Sequence, residues 1–126
     1  MEFISAEEFL KQDEKVQETF INWWEPAKGD LFENNSIGGF GVVIDNKKHK
    51  NGLIPLLTEG QLRKFIEDKT GGITTIEHYI GIGEYDIKTL PLVDGIYEND
   101  IYEDLGDDLL QAYWKVAIEI AKHKTR

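Results

Sequence analysis

The chain has 126 residues, 40% of them hydrophobic, which is enough for one hydrophobic core and too few for two ordinary ones. The lack of cysteine excludes disulfides, thiolate metal sites and cysteine nucleophiles. The net charge of −10 argues against direct binding of nucleic acid, because phosphates attract a cationic surface. The first residues hold neither a basic segment nor a long apolar run, so we expect no signal peptide. No stretch of the sequence has the apolar length of a transmembrane helix, so we expect no membrane segment and a cytoplasmic location. We therefore expect a single domain over residues 1–126.

The first predicted element is a helix over residues 5–24. Ser5 and Glu8 have the spacing of a capping box at its start, and Pro26 disfavours helical geometry at the residue before it. Apolar side chains at helical spacing form its predicted core stripe: Phe9, Val16, Phe20 and Trp24.

The middle of the chain predicts short strands with polar turns between them. Residues 31–33, 40–44 and 53–57 are β-prone, and Pro55 places the last of them at a sheet edge or a strand end. The polar residues 45–52 indicate a hairpin connection between the second and third of these strands.

The second half of the chain begins with a helix predicted over residues 58–70. Thr58 and Gln61 form a capping box, and Gly71 is placed for a left-handed cap at its end. Residues 73–80 and 85–87 are predicted strands, and residues 89–102 an irregular excursion.

A third helix is predicted over about residues 105–122, with acidic side chains at its start and basic ones at its end. The order of elements indicates the α+β class, with a small antiparallel or mixed sheet packed by about three helices.

No residue pattern in the chain indicates catalysis, a cofactor or a metal site. The glycines at 38–41 lead into a strand rather than a helix, which does not fit a phosphate-binding loop. His49, His78 and His123 lie on three separate elements without the spacing of zinc ligands. We therefore expect a protein that is not an enzyme.

The strongest binding candidate is the acidic segment that precedes the third helix. Residues 70–108 hold ten acidic side chains and one basic one, with tyrosines among them. Tyrosine combined with carboxylates suits a basic, partly apolar partner surface, although solubility alone also explains such a run. The predicted partner-binding residues are Tyr97, Glu98, Asp100, Tyr102, Glu103, Asp104, Asp107 and Asp108.

Three segments carry a resemblance: residues 9–31, with Asn22-Trp23-Trp24-Glu25-Pro26 at their centre, residues 56–67 and residues 109–117. Together they resemble small uncharacterised proteins encoded by phages and prophages of Gram-positive bacteria such as clostridia and bacilli. The resemblance implies a genomic context and carries over no functional residue.

From these patterns we expect a phage-type accessory protein that binds a host or phage protein, as an acidic inhibitor or a mimic of nucleic acid. A second reading is a binder of small anionic ligands such as nucleotides, with a pocket near residues 81–83. Its candidate cations lie in the basic middle of the chain: Lys47, Lys48, Lys50, Arg63 and Lys64. A third reading is a self-associating structural component that forms a homo-oligomer.

Overall fold

The structure, a computed structural model, describes residues 2–35, 38–44, 50, 52–79, 83–91 and 100–123. Contacts within the chain group it into two units, the first over residues 3–57 and the second from residue 58 onward. The described part contains four helices and six strands: α1 Ala6–Leu10, α2 Glu14–Trp23, β1 Leu31–Asn34, β2 Phe40–Val42, β3 Leu53–Pro55, α3 Glu59–Thr70, β4 Gly72–Tyr79, β5 Glu84–Pro91, β6 Asp100–Tyr102 and α4 Leu109–His123. The α+β class is confirmed, and both sheets are antiparallel. The single domain over residues 1–126 stays a prediction.

The helix predicted over residues 5–24 is two helices, because Asp13 begins a new one. The Ser5 hydroxyl accepts from the amide of Glu8 and caps α1, as its position in the sequence predicts. The Asp13 carboxylate accepts a hydrogen bond from the Val16 amide at 3.0 Å and caps α2. The Gln17 side chain then donates to two carbonyl oxygens around the break. The predicted core stripe is confirmed although the helix is interrupted, since all four of its side chains are buried: Phe9, Val16, Phe20 and Trp24.

The sheet of the first unit has the order β2-β1-β3, with β1 in the centre. The hairpin predicted between residues 40–44 and 53–57 is therefore wrong, because β2 and β3 pair with opposite edges of β1. Pro55 ends the edge strand β3, as expected of a residue without an amide hydrogen. Phe32 lies opposite Gly41, and its ring fills the space that a side chain at position 41 would need.

Helix α3 has the two caps that the sequence predicts. The Thr58 hydroxyl accepts from the Gln61 amide while the Gln61 side chain accepts from the Thr58 amide. Gly71 closes the helix with φ of 70°, in the left-handed region. Leu62, Phe65 and Ile66 form its buried face, and α3 packs against α4 and the neighbouring strands β4 and β5.

The sheet of the second unit has the order β4-β5-β6. Strands β4 and β5 form eight registered pairs, from Gly72 opposite Pro91 to Tyr79 opposite Glu84. The irregular excursion predicted over residues 89–102 is wrong at both ends, because residues 89–91 extend β5 and residues 100–102 form β6. Residues 92–99 lie outside the described part of the chain.

Candidate functional site

The last part of the acidic segment, residues 100–108, runs from the edge strand β6 to the start of α4. Of the eight predicted partner-binding residues, Tyr97 and Glu98 lie outside the described residues. Asp100 and Tyr102 belong to β6, which pairs with β5 through Tyr102 opposite Ile87. The other four lie between β6 and α4, and their side chains are exposed: Glu103, Asp104, Asp107 and Asp108.

A β-bulge sets the direction of the chain after β6. Tyr85 of β5 pairs with two residues, donating to the Gly106 carbonyl at 2.8 Å and accepting from the Leu105 amide at 3.0 Å. Asp104 precedes the bulge with φ of 56°, a left-handed conformation that Asp tolerates better than most residues. The carboxylate of Asp86 accepts from the Asp104 amide at 3.1 Å. These bonds hold the backbone of residues 104–106 on β5, with Leu105 buried below it.

Asp108 differs from its acidic neighbours because it caps α4. Its carboxylate accepts a hydrogen bond from the Gln111 amide at 3.0 Å, and its carbonyl accepts from the Ala112 amide. This explains why α4 begins at Leu109 rather than near residue 105, where the sequence predicts it. Asp108 therefore has a structural role that Asp107 does not share.

Four acidic residues, Asp100, Glu103, Asp104 and Asp107, form what we call the acidic surface. In the residues that the structure describes, no ion pair joins Glu103, Asp104 or Asp107 to a cation. Other carboxylates of the described chain do pair with nearby cations: Glu7 with Lys11, Glu67 with Arg63, Asp68 with Lys64, and Glu77 with Lys88. Glu103, Asp104 and Asp107 thus offer negative charge to a cationic partner, while the Lys115 ammonium donates to the Leu105 carbonyl between them at 3.1 Å.

Tyr102 is the aromatic residue that the structure places beside the acidic surface. Its side chain is half-buried, with one part available at the surface. Burial raises the pKa of the Tyr102 phenol, and the negative charge of Glu119 on α4 raises it further. Tyr102 therefore stays neutral at physiological pH, with its phenol near the Glu119 carboxylate of α4.

The basic residues predicted to bind an anionic ligand already have other partners, for those that lie in the described part of the chain. Lys50 donates to the Ile21 carbonyl at the end of α2, at 2.9 Å. Arg63 donates to a backbone carbonyl at the start of β4, and Lys64 contacts a carboxylate one helical turn away. Lys47 and Lys48 lie outside the described residues, as does most of the predicted pocket at residues 81–83.

A cavity of about 330 Å³ lies in the first unit beside β2. Six residues line it, none of them charged: Phe3, Leu31, Phe40, Gly41, Val42 and Leu56. An apolar cavity of this kind lacks the convergent polar groups that orient a nucleotide. It was not predicted, although the alternating apolar residues of 40–44 are the signal for it.

The chain has no match among protein-family models, curated proteins or solved structures. Within the described residues, no three His, Asp or Glu side chains group as metal ligands would. None of the described helices has the length and apolar character needed to cross a membrane.

Proposed function

We propose that this chain is a non-enzymatic, phage-type accessory protein of the bacterial cytoplasm that binds a host or phage protein through the acidic surface. The phage assignment rests on the resemblance of the three segments. The binding assignment rests on one observation, that Glu103, Asp104 and Asp107 are exposed and without ion pairs in the described chain. The partner of matching charge is a basic surface that ordinarily binds nucleic acid, on which carboxylates would replace phosphates.

The backbone around the acidic surface supports a binding role over simple solvation. A charge run that only improves solubility needs no fixed geometry. Here the ladder to β5, the bulge at Tyr85 and the cap at Asp108 hold the chain on both sides of Asp104. Carboxylates on a backbone that is already ordered bind a complementary surface with a smaller loss of backbone conformational entropy than those on a mobile segment.

The test is a variant that removes charge without disturbing the backbone. Glu103→Gln, Asp104→Asn and Asp107→Asn together neutralise the three exposed carboxylates of the acidic surface, and Asn tolerates the left-handed conformation at position 104. Asp108 is left intact because it caps α4. The matched control neutralises three exposed carboxylates of other segments: Glu2→Gln, Glu18→Gln and Glu25→Gln.

Tagged wild-type chain and both variants would be used to capture proteins from a Gram-positive bacterial lysate at low salt, and the captured protein would then be purified for calorimetric titration. We expect capture by the wild type and the control, release at high salt, and an affinity lowered at least about tenfold by the surface variant. We also expect nucleic acid to compete for the captured protein. Equal affinity of the surface variant and the wild type would refute the proposal, as would the lack of any specifically captured protein.

The nucleotide-binding alternative receives less support from the described residues. The described cations on which it depends already contact carbonyl or carboxylate oxygens, and the cavity of the first unit is apolar. Titration of the wild type with ATP in the same calorimeter separates the two functions, since the acidic surface would repel a triphosphate.

A further inference from the structure

The outer edge of β2 presents backbone groups that no described strand occupies. β2 pairs with β1 and with no other strand in the described part of the chain. The Gly39 carbonyl accepts from the Asn34 amide, and the Val43 amide donates to the Asp30 carbonyl, so both face β1. Antiparallel pairing alternates the direction of backbone groups. The amides and carbonyls of Phe40 and Val42, and of Ile44 at the next alternate position, therefore face away from β1.

The same three residues carry the exposed apolar side chains of this edge. Phe40 is 78% exposed, Val42 54% and Ile44 74%. Their spacing of two places them on one face of the strand, where they form a continuous apolar stripe. Val43, which alternates with them, is buried.

The other three edge strands carry features that discourage pairing with another chain. β3 ends in Pro55, β4 contains Glu77, and β6 contains Asp100. Proline and charged side chains are the usual protection of a sheet edge. Residues 40–44, Phe-Gly-Val-Val-Ile, contain neither, so β2 is the unprotected edge among those described.

We propose that the outer edge of β2 binds the β2 edge of a second copy of this chain, forming an antiparallel, two-fold symmetric dimer. Val42 lies on the symmetry axis opposite its own counterpart, and Phe40 lies opposite Ile44 of the second copy. In this register, residues with outward backbone groups pair only with each other, so the hydrogen-bond ladder continues across the interface. This register also places the aromatic ring of Phe40 opposite the β-branched side chain of Ile44, which is a favourable cross-strand pair.

The edge itself favours a second copy as the occupant, because its outward backbone groups match those of another β2 and its side chains are uncharged. Each chain carries a net charge of −10, so two copies repel at most surfaces, but residues 40–44 bring no charge into the interface. The three side chains expose roughly 350 Å² of apolar area per copy, about half of what each partner of a standard interface contributes. We therefore expect a dimer of moderate affinity that dissociates on dilution.

The test uses charge at the symmetry axis. Val42→Lys and Val42→Glu each place like charges directly opposite one another, which destabilises the pair. An equimolar mixture of the two variants places opposite charges there instead. Ile101→Lys is the control, because Ile101 is also an exposed apolar residue on an edge strand, β6.

Sedimentation equilibrium of the 126-residue chain from about 5 to about 500 µM should show a rise from 14.5 kDa toward twice that mass. Each Val42 variant alone should raise the dimer dissociation constant at least about tenfold, and the mixture should restore it to within about threefold of wild type. The Ile101→Lys variant should behave as wild type. In parallel, amide exchange at Phe40 and Val42 should slow as concentration rises, with no change at Gly41.

Four outcomes would overturn the proposal. A wild-type chain that stays at 14.5 kDa across the concentration range has no such dimer. A Val42→Lys chain that is folded by circular dichroism and dimerises as well as wild type places the interface elsewhere. Val42→Lys and Val42→Glu variants that remain monomeric when mixed rule out Val42 at a two-fold axis. If the wild type is monomeric and captures a lysate protein that Val42→Lys does not capture, a strand of that protein is the occupant.

Discussion

The buried hydroxyl of Thr89 is a site where a single substitution should stabilise the protein. Thr89 lies on β5 with no exposed surface, and its Oγ1 has no hydrogen-bond partner among the described residues. Thr74 lies directly opposite on β4 and is also buried. Its Oγ1, by contrast, lies 3.2 Å from a carboxylate oxygen of Glu67. The two threonines thus share a strand pair but differ in hydrogen bonding.

Replacing Thr89 by Val removes the hydroxyl and keeps the branched shape. A buried hydroxyl without a partner costs about 1–3 kcal/mol, and Val suits a buried strand position. We expect Thr89→Val to raise the free energy of unfolding by about 1 kcal/mol. Thr74→Val should lower it by about 1 kcal/mol, because Glu67 would lose one of its hydrogen-bond donors.

Urea denaturation followed by circular dichroism measures both effects. With a slope near 2 kcal/mol/M, a change of 1 kcal/mol moves the midpoint by about 0.5 M. The midpoint should rise for Thr89→Val and fall for Thr74→Val. A fall of similar size for both variants would show that the Thr89 hydroxyl is hydrogen-bonded in solution and would refute the reasoning.

The other predictions concern a helix cap, a strand glycine and a phenol. Asp108→Ala should lower the free energy of unfolding in urea by about 1 kcal/mol, because the Gln111 amide loses its acceptor; an unchanged midpoint would contradict the cap. Gly41→Ala should lower it by about 1–3 kcal/mol, since the new methyl group would displace the Phe32 ring, and an unchanged melting temperature would argue against that contact. Folding raises the pKa of Tyr102, so its stabilising contribution is complete below the usual value of 10.0 and is lost as pH rises through the folded-state pKa. Ultraviolet titration of the wild type and Tyr102→Phe checks this; a phenol that ionises at or below the usual value would contradict it.

The sequence predicts a helix end correctly where the capping residue and its hydrogen-bond partners lie close together in the chain. The caps at Ser5, Thr58 and Gly71 are confirmed because each depends on residues within one turn of the helix. Asp13 has the same chemistry, but it stands inside an amphipathic run in which a polar residue also fits the exposed face. The run of apolar positions therefore predicts one helix where the structure has two.

Strand pairing was harder to predict because it depends on residues distant in the chain. Nothing near residues 40–44 indicates that they flank β1 on the side opposite β3, and the unoccupied edge of β2 follows from that order. The exposure of the acidic segment was predictable from its composition. The cap at Asp108 also has a signal in the sequence, since Gln111 stands three residues later, but the bulge at Tyr85 has none.

The tryptophans give each unit its own optical reporter. Trp24 is 1% exposed in the first unit, with its indole nitrogen donating to Asp30 at 3.0 Å, and Trp114 is 4% exposed in the second. Fluorescence of a Trp114→Phe chain follows the first unit, and fluorescence of a chain with Trp23→Phe and Trp24→Phe follows the second. Coincident unfolding curves are what a single cooperative domain over residues 1–126 requires, whereas separate midpoints would describe two units that melt independently.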